Sequence, residues 1–207
     1  MPGIEPTTPD GVAEAVAELV LARPGRSRVL LDGPAPAAPE QLAEQVASRL
    51  RTAGRAALVV RAGDFLRPAS VRLEYGREDP DEYLDGWLDE GALRREVLDP
   101  AAPDGSGRVL PRLWNPATDR AYRAGYEQLP ASGVVLLAGA LLLGRGLPAD
   151  VTVHLHMGAA ALARRLPAEE HWTLPAHTRY EDERSPDTAA DLVALSDHPT
   201  RPALVRT

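Results

Sequence analysis

Arg28-Val29-Leu30-Leu31-Asp32-Gly33-Pro34-Ala35-Pro36-Ala37-Ala38-Pro39-Glu40 is the stretch whose reading decides the fold. Its apolar run from Arg28 to Asp32 predicts a short buried strand. Pro39 suits the first position of a helix, and Leu42, Val46 and Leu50 recur at helical spacing until Gly54 ends the pattern. Ala56–Arg61 predicts a second buried strand. Strand, helix and strand within about 35 residues form a βαβ unit, which implies a parallel sheet with a right-handed crossover.

Outward from this unit, Asp10–Ala22 carries Val12, Val16, Leu19 and Val20 on one helical face, after a loose lead-in at Pro2–Pro9. Residues 62–80 are polar and irregular, and short helices are expected around Asp81–Trp87 and Glu90–Val97. Val134–Ala138 and Val151–His156 read as buried strands, Ala159–Leu166 and Pro175–Glu183 as helices, and Asp191–Leu195 as the last strand. The expectation is one α/β domain over residues 1–207, with a helix at about 10–22 and a lid-like insertion at about 65–126. Its three-layer architecture is a parallel sheet flanked by helices.

Composition narrows the chemistry. The chain has 207 residues and a net charge of −7, which argues against a nucleic-acid partner attracted by bulk charge. The longest apolar run, Gly133–Gly144, is too short for a membrane span, and no signal peptide is read, so the expected location is cytoplasmic. There is no cysteine, hence no disulfide framework and no thiolate nucleophile. All 23 basic residues are arginine, so no step that requires a lysine can run on this chain.

A strand ending in Asp32-Gly33 ahead of a helix is the setting of a phosphate-binding loop. Against Gly-x-x-x-x-Gly-Lys-[Ser/Thr], Gly33 supplies the first glycine. Ala38 replaces the second glycine, Pro39 the lysine and Glu40 the hydroxyl. Further along stand Gly63-Asp64-Phe65-Leu66-Arg67-Pro68, then Arg72, Tyr75-Gly76-Arg77, Asp79-Pro80-Asp81, Tyr83, Asp85 and Trp87, and late in the chain Arg179-Tyr180. In order and spacing, these segments together with Asp32-Gly33-Pro34 resemble the uridine kinases and related P-loop nucleoside kinases over about residues 28–195.

That resemblance implies a P-loop-NTPase-like fold, ATP and Mg²⁺ as cofactors, and phosphoryl transfer to a nucleoside hydroxyl. The departures fall on the chemistry. Pro39 removes the lysine charge and an N–H, and Glu40 places an anion where phosphates would lie. The family's base aligns with Gly63, one residue before Asp64, and its later strand-end aspartate aligns with Ala138. Pro39 and Glu40 instead suit a helix start that needs no bound phosphate.

Three readings follow. The first is a kinase homologue without conventional ATP handling, which binds a nucleoside-like molecule or a partner. Its ligand candidates are Phe65, Arg72, Tyr75, Arg77, Tyr83, Asp85, Trp114, His171 and Arg179, in or near a segment that holds seven of the nine aromatics. The second is an active kinase with a rebuilt site, in which Asp64 is the base and Arg67, Arg164 or Arg165 supplies positive charge. The third is a structural or regulatory interaction protein without a ligand pocket, which contacts another protein or a second copy of itself. His154-x-His156 places two imidazoles on one side of a strand, but no third ligand is evident in the sequence, so no metal is assigned and a solvated pair is expected.

Overall fold

The computed structural model describes residues 3–206; Met1, Pro2 and Thr207, which the single-domain expectation includes, lie outside the described residues. The chain opens with β1 (Gly3–Pro6) and α1 (Pro9–Leu21), whose start is capped by the Thr8 hydroxyl accepting from the Gly11 amide at 3.1 Å. The βαβ unit follows as β2 (Ser27–Asp32), α2 (Pro39–Thr52) and β3 (Ala57–Arg61).

An excursion of short elements then leaves the sheet. It holds α3 (Ala69–Arg72), α4 (Pro80–Asp85), α5 (Glu90–Leu93) and the two-residue strands β4 (Arg108–Val109), β5 (Trp114–Asn115), β6 (Arg120–Ala121) and β7 (Glu127–Gln128). The helix expected over Glu90–Val97 is α5 running into a wider π-turn at Arg94–Leu98. The chain returns through β8 (Val134–Gly139) and β9 (Val151–His156). It finishes with α6 (Ala159–Arg165), α7 (Leu174–Arg184), α8 (Pro186–Ala189), β10 (Leu192–Leu195) and β11 (Ala203–Arg206).

Seven strands form one sheet in the order β1-β11-β10-β9-β2-β8-β3. The five from β10 to β3 are parallel, as the βαβ reading requires. β1 and β11 add an antiparallel edge, with Ile4 opposite Val205. That edge corrects two expectations: the lead-in at Pro2–Pro9 contains a strand, Gly3–Pro6, and Leu192–Leu195 is not the last strand.

Alternation along each strand divides the core. Val29, Leu31, Leu136, Val153 and Leu155 face α1 and α2, where they meet Val12, Val16, Val46 and Leu50. Leu30, Val60, Val135 and Leu137 face the other way, against Phe65, Leu93, Leu98 and Tyr180. The sheet is therefore covered on both sides, which explains why its strands read as near-continuous apolar runs. On the second side, Asp32 at the end of β2 stands in register with His154 of β9.

Candidate functional site

The loop between β2 and α2 lies at the carboxyl end of the central strand. Gly33 is required there by contact, because a Cβ would come 2.8 Å from the Leu155 Cβ and 3.0 Å from its carbonyl. Ala35–Ala37 form one 3-10 turn, and Ala38 then takes the left-handed conformation (φ 59°, ψ 51°) before Pro39 opens α2. The turn is self-bonded: Gly33 donates to the Gly139 carbonyl at 3.1 Å, Ala37 to Pro34 at 2.8 Å and Ala38 to Ala35 at 3.0 Å. Prolines at 34, 36 and 39 have no N–H. From Gly33 to Pro39, only the Ala35 amide is not already committed within the protein.

Two side chains close the remainder. Glu40, in the first turn of α2, sets its Oε2 3.4 Å from Nε of Arg61 at the end of β3. Arg165 donates to the Ser196 carbonyl at 2.8 Å and also to the Pro36 carbonyl. An arginine thus meets this loop through a carbonyl, from a partly buried position.

Two clefts adjoin at Glu40. One, of about 380 Å³, runs along Gly33, Ala35, Ala38, Pro39 and Gly139. The other, of about 210 Å³, is walled by Leu66, Tyr83, Trp87, Leu88 and Arg145, with Gly63 and Ala140 at its floor. Tyr83 packs edge-on against Trp87 at 5.2 Å and Trp172 at 5.4 Å, and burial pushes its phenol up to about 12. The Trp87 Nε1 is buried without a hydrogen-bond partner. Arg145 is held by Glu90 at 2.6 Å and by the carbonyls of Leu84 and Leu141.

Of the ligand candidates read from the sequence, Tyr83 lines this second cleft. Phe65 does not: it is fully buried in the core beneath, and the motif that suggested it serves packing here. Arg72 is also buried, stacked 5.2 Å over the Trp87 ring. Tyr75 is 69% exposed, and Arg77 is exposed. Trp114 bonds Asp119 at 3.0 Å on the β5–β6 hairpin. Asp85 and Arg179 are partners of each other, with Asp81, Glu183 and Arg184 completing a surface network. His171 faces the Leu166 carbonyl at 3.1 Å.

The rebuilt-catalyst set does not converge. Asp64 is bonded by the Tyr122 hydroxyl beside the hairpin, and Arg67 and Arg164 are exposed. None of these three lines either cleft beside Glu40. Arg165 is occupied with the loop carbonyl.

The polar centre that sequence reading missed is Asp32, wholly buried. It accepts from the Leu142 amide at 2.8 Å and the Tyr180 hydroxyl at 2.9 Å, and faces His154 Nδ1 at 2.7 Å. His154 is 1% exposed, which overturns the expected solvated pair. Burial favours its neutral form, but the hydrogen bond to Asp32 and the nearby carboxylates of Asp32 and Glu181 outweigh that and raise it to about 9. Its Nε2 lies 3.5 Å from Glu181 and 3.8 Å from Asp187, while His156 Nδ1 lies 3.2 Å from Asp187. The burial of Asp32 has one sequence signal, a carboxylate closing an otherwise apolar strand.

Solved structures share the fold. A possible uridine kinase from Bacillus stearothermophilus matches with a TM-score of 0.70 at 21% identity, over 87% of this chain and 96% of its own. A putative fructose transport system kinase from Silicibacter sp. TM1040 matches with a TM-score of 0.65 at 24% identity, over 90% of this chain and 98% of its own. No protein-family model matches the chain, and no curated protein matches it in sequence. The chain therefore has a P-loop-NTPase-like α/β fold, a mostly parallel sheet flanked by helices. Among the described residues, no helix is long and apolar enough to cross a membrane.

Proposed function

We propose that this protein is a kinase-fold binding protein that does not use ATP and takes a nucleoside-like ligand in the cleft beside Glu40. The self-bonded loop carries this reading. A phosphate cradle works through free backbone N–H groups, a lysine and a hydroxyl on magnesium. Here the N–H groups from Gly33 to Pro39 are absent or donated apart from that of Ala35, no lysine exists, and the hydroxyl position holds a carboxylate. A triphosphate would bring several negative charges against Glu40, whose nearest cation is already paired with it.

The adjoining cleft keeps what a hydroxyl-bearing ring compound requires. Tyr83, Trp87, Leu66 and Leu88 offer apolar and aromatic surface, and the Glu40 carboxylate can accept from sugar hydroxyls. The similarity of fold to a possible uridine kinase and a putative fructose transport system kinase supports a ligand of this kind. Calorimetric titration with uridine, free of ATP and magnesium, tests the reading. Saturable heat is expected, weakened about tenfold in Glu40→Gln by loss of a charge-assisted hydrogen bond. No heat at millimolar uridine would contradict it.

A further inference from the structure

The two histidines of β9 and two acids of the α7–α8 corner form a group unrelated to either cleft beside Glu40. His154 and His156 project from the same side of β9, opposite the core-facing Val153 and Leu155. Glu181 stands in the last turn of α7 and Asp187 in the first turn of α8. Between them Ser185 adopts the left-handed conformation (φ 46°), which turns the chain so that both carboxylates lie over the end of the strand.

One nitrogen or oxygen from each of these four residues lies within 4.8 Å of all the others. Each carboxylate meets the two imidazoles through its two different oxygens: His154 Nε2 lies 3.5 Å from Glu181 Oε1 and 3.8 Å from Asp187 Oδ1, and His156 Nδ1 lies 3.2 Å from Asp187 Oδ2 and 4.0 Å from Glu181 Oε2. A four-coordinate ion with ligand bonds of about 2.0–2.2 Å sets its donor atoms about 3.4 Å apart, so a small inward turn of the two carboxylates brings the group to the dimensions of a coordination shell. Two atoms in it are buried without a hydrogen-bond partner: His154 Nε2 and His156 Nδ1. Both are the nitrogens turned toward the carboxylates.

Asp32 supplies the feature that separates such a group from a surface ion-pair cluster. It engages Nδ1 of His154 at 2.7 Å, and it is itself fixed by Tyr180 and the Leu142 amide. A histidine bonded through one nitrogen to a buried carboxylate presents the lone pair of the other to a metal, in the carboxylate–histidine–metal arrangement. Two imidazoles with two carboxylates form a donor set suited to zinc, and their two negative charges balance a divalent ion.

From this geometry we infer that His154, His156, Glu181 and Asp187 bind one Zn²⁺ ion, with Asp32 as the residue that positions His154. Four protein ligands leave no open position, so the ion is structural and pins the α7–α8 corner to the end of β9.

The test is titration of the chelator-treated full chain with Zn²⁺, and separately with Co²⁺, whose visible spectrum reports coordination. One ion per chain is expected, with the strong visible bands of four-coordinate cobalt and a rise in melting temperature on zinc addition. His156→Ala and Asp187→Asn alter partly exposed positions, so both variants are expected to fold, and each weakens binding at least about tenfold. Circular dichroism matching the parent confirms that the loss is local. Zinc binding that neither substitution weakens, weak six-coordinate cobalt bands, or no uptake at all would overturn the inference and leave the group as a hydrogen-bonded ion network.

Discussion

Arg61, the last residue of β3, places its Nε 3.4 Å from the Oε2 of Glu40 in the first turn of α2. The pair spans the mouth of the β2–α2 loop, where a phosphate-binding protein keeps positive charge free. Both side chains are about half exposed, so the pair contributes little stability, within about 0–1 kcal/mol. Its consequence is electrostatic: the cation that could have met an anionic ligand is already engaged by an anion of the protein's own.

Ala38 bears the loop's conformational strain. An alanine held at φ 59°, ψ 51° sits in a region that glycine occupies freely. Ala38→Gly is expected to stabilise the fold by about 0.5–1 kcal/mol, less the gain in unfolded-chain entropy. Urea unfolding measures this as a higher midpoint at unchanged slope. A lower midpoint would show that the methyl group has a packing role that outweighs the strain.

Tyr180 connects the sheet to the segment after β8. Its hydroxyl donates to Asp32 at 2.9 Å and accepts from the Leu143 amide at 2.9 Å, both in a fully buried setting. Tyr180→Phe orphans a buried amide and removes one donor from a buried carboxylate. The expected loss is about 2–3 kcal/mol, read by denaturant unfolding. Tyr122→Phe, at a half-buried tyrosine bonded to Asp64 near the surface, serves as the control and should stay within about 0.5 kcal/mol.

Arg28 and Asp150 tie the start of β2 to the start of β9. Asp150 accepts from the Arg28 amide at 2.8 Å and from its guanidinium at 3.0 Å twice. Burial raises the Asp150 carboxyl, but the Arg28 bonds and the Arg28 and Arg23 charges prevail and hold it below the usual carboxylate range. Across the pair, Asp99 and Asp104 act on Arg28 in the same sense. A carboxylate depressed in the folded state stabilises at pH above its ordinary value of about 3.9, and that stability disappears as pH falls through the depressed value. The stability gap between the parent and Asp150→Asn should therefore be about 1–3 kcal/mol near neutrality and shrink below about pH 4. A gap that stays constant down to about pH 2.5 would contradict this assignment.

The central fold was legible because its signals are local. Leu42, Val46 and Leu50 mark one face of α2, and the apolar runs of β2, β8 and β9 need no knowledge of distant residues. β1 and β11 were not legible: Gly3–Pro6 is exposed throughout, and its strand character comes from pairing with residues about 200 positions away. Phe65 misled for the opposite reason. A residue within a ligand-associated motif is also the chain's only phenylalanine, and the core beneath α5 takes it.

The loop's departures at Ala38, Pro39 and Glu40 were readable residue by residue, whereas the self-bonding of the turn required its geometry. Likewise, period-two spacing placed His154 and His156 on one side of β9, but Glu181 and Asp187 reach them only through the α7–α8 corner. Asp32 joins them across the register of two strands distant in sequence.

The most direct test of a loop closed by its own backbone hydrogen bonds is equilibrium binding of Mg-ATP to the parent and to the triple variant Ala38→Gly, Pro39→Lys, Glu40→Ser. The account predicts no saturable binding to the parent at millimolar nucleotide, and measurable binding once glycine, lysine and hydroxyl are restored. Micromolar binding of Mg-ATP by the parent would contradict it.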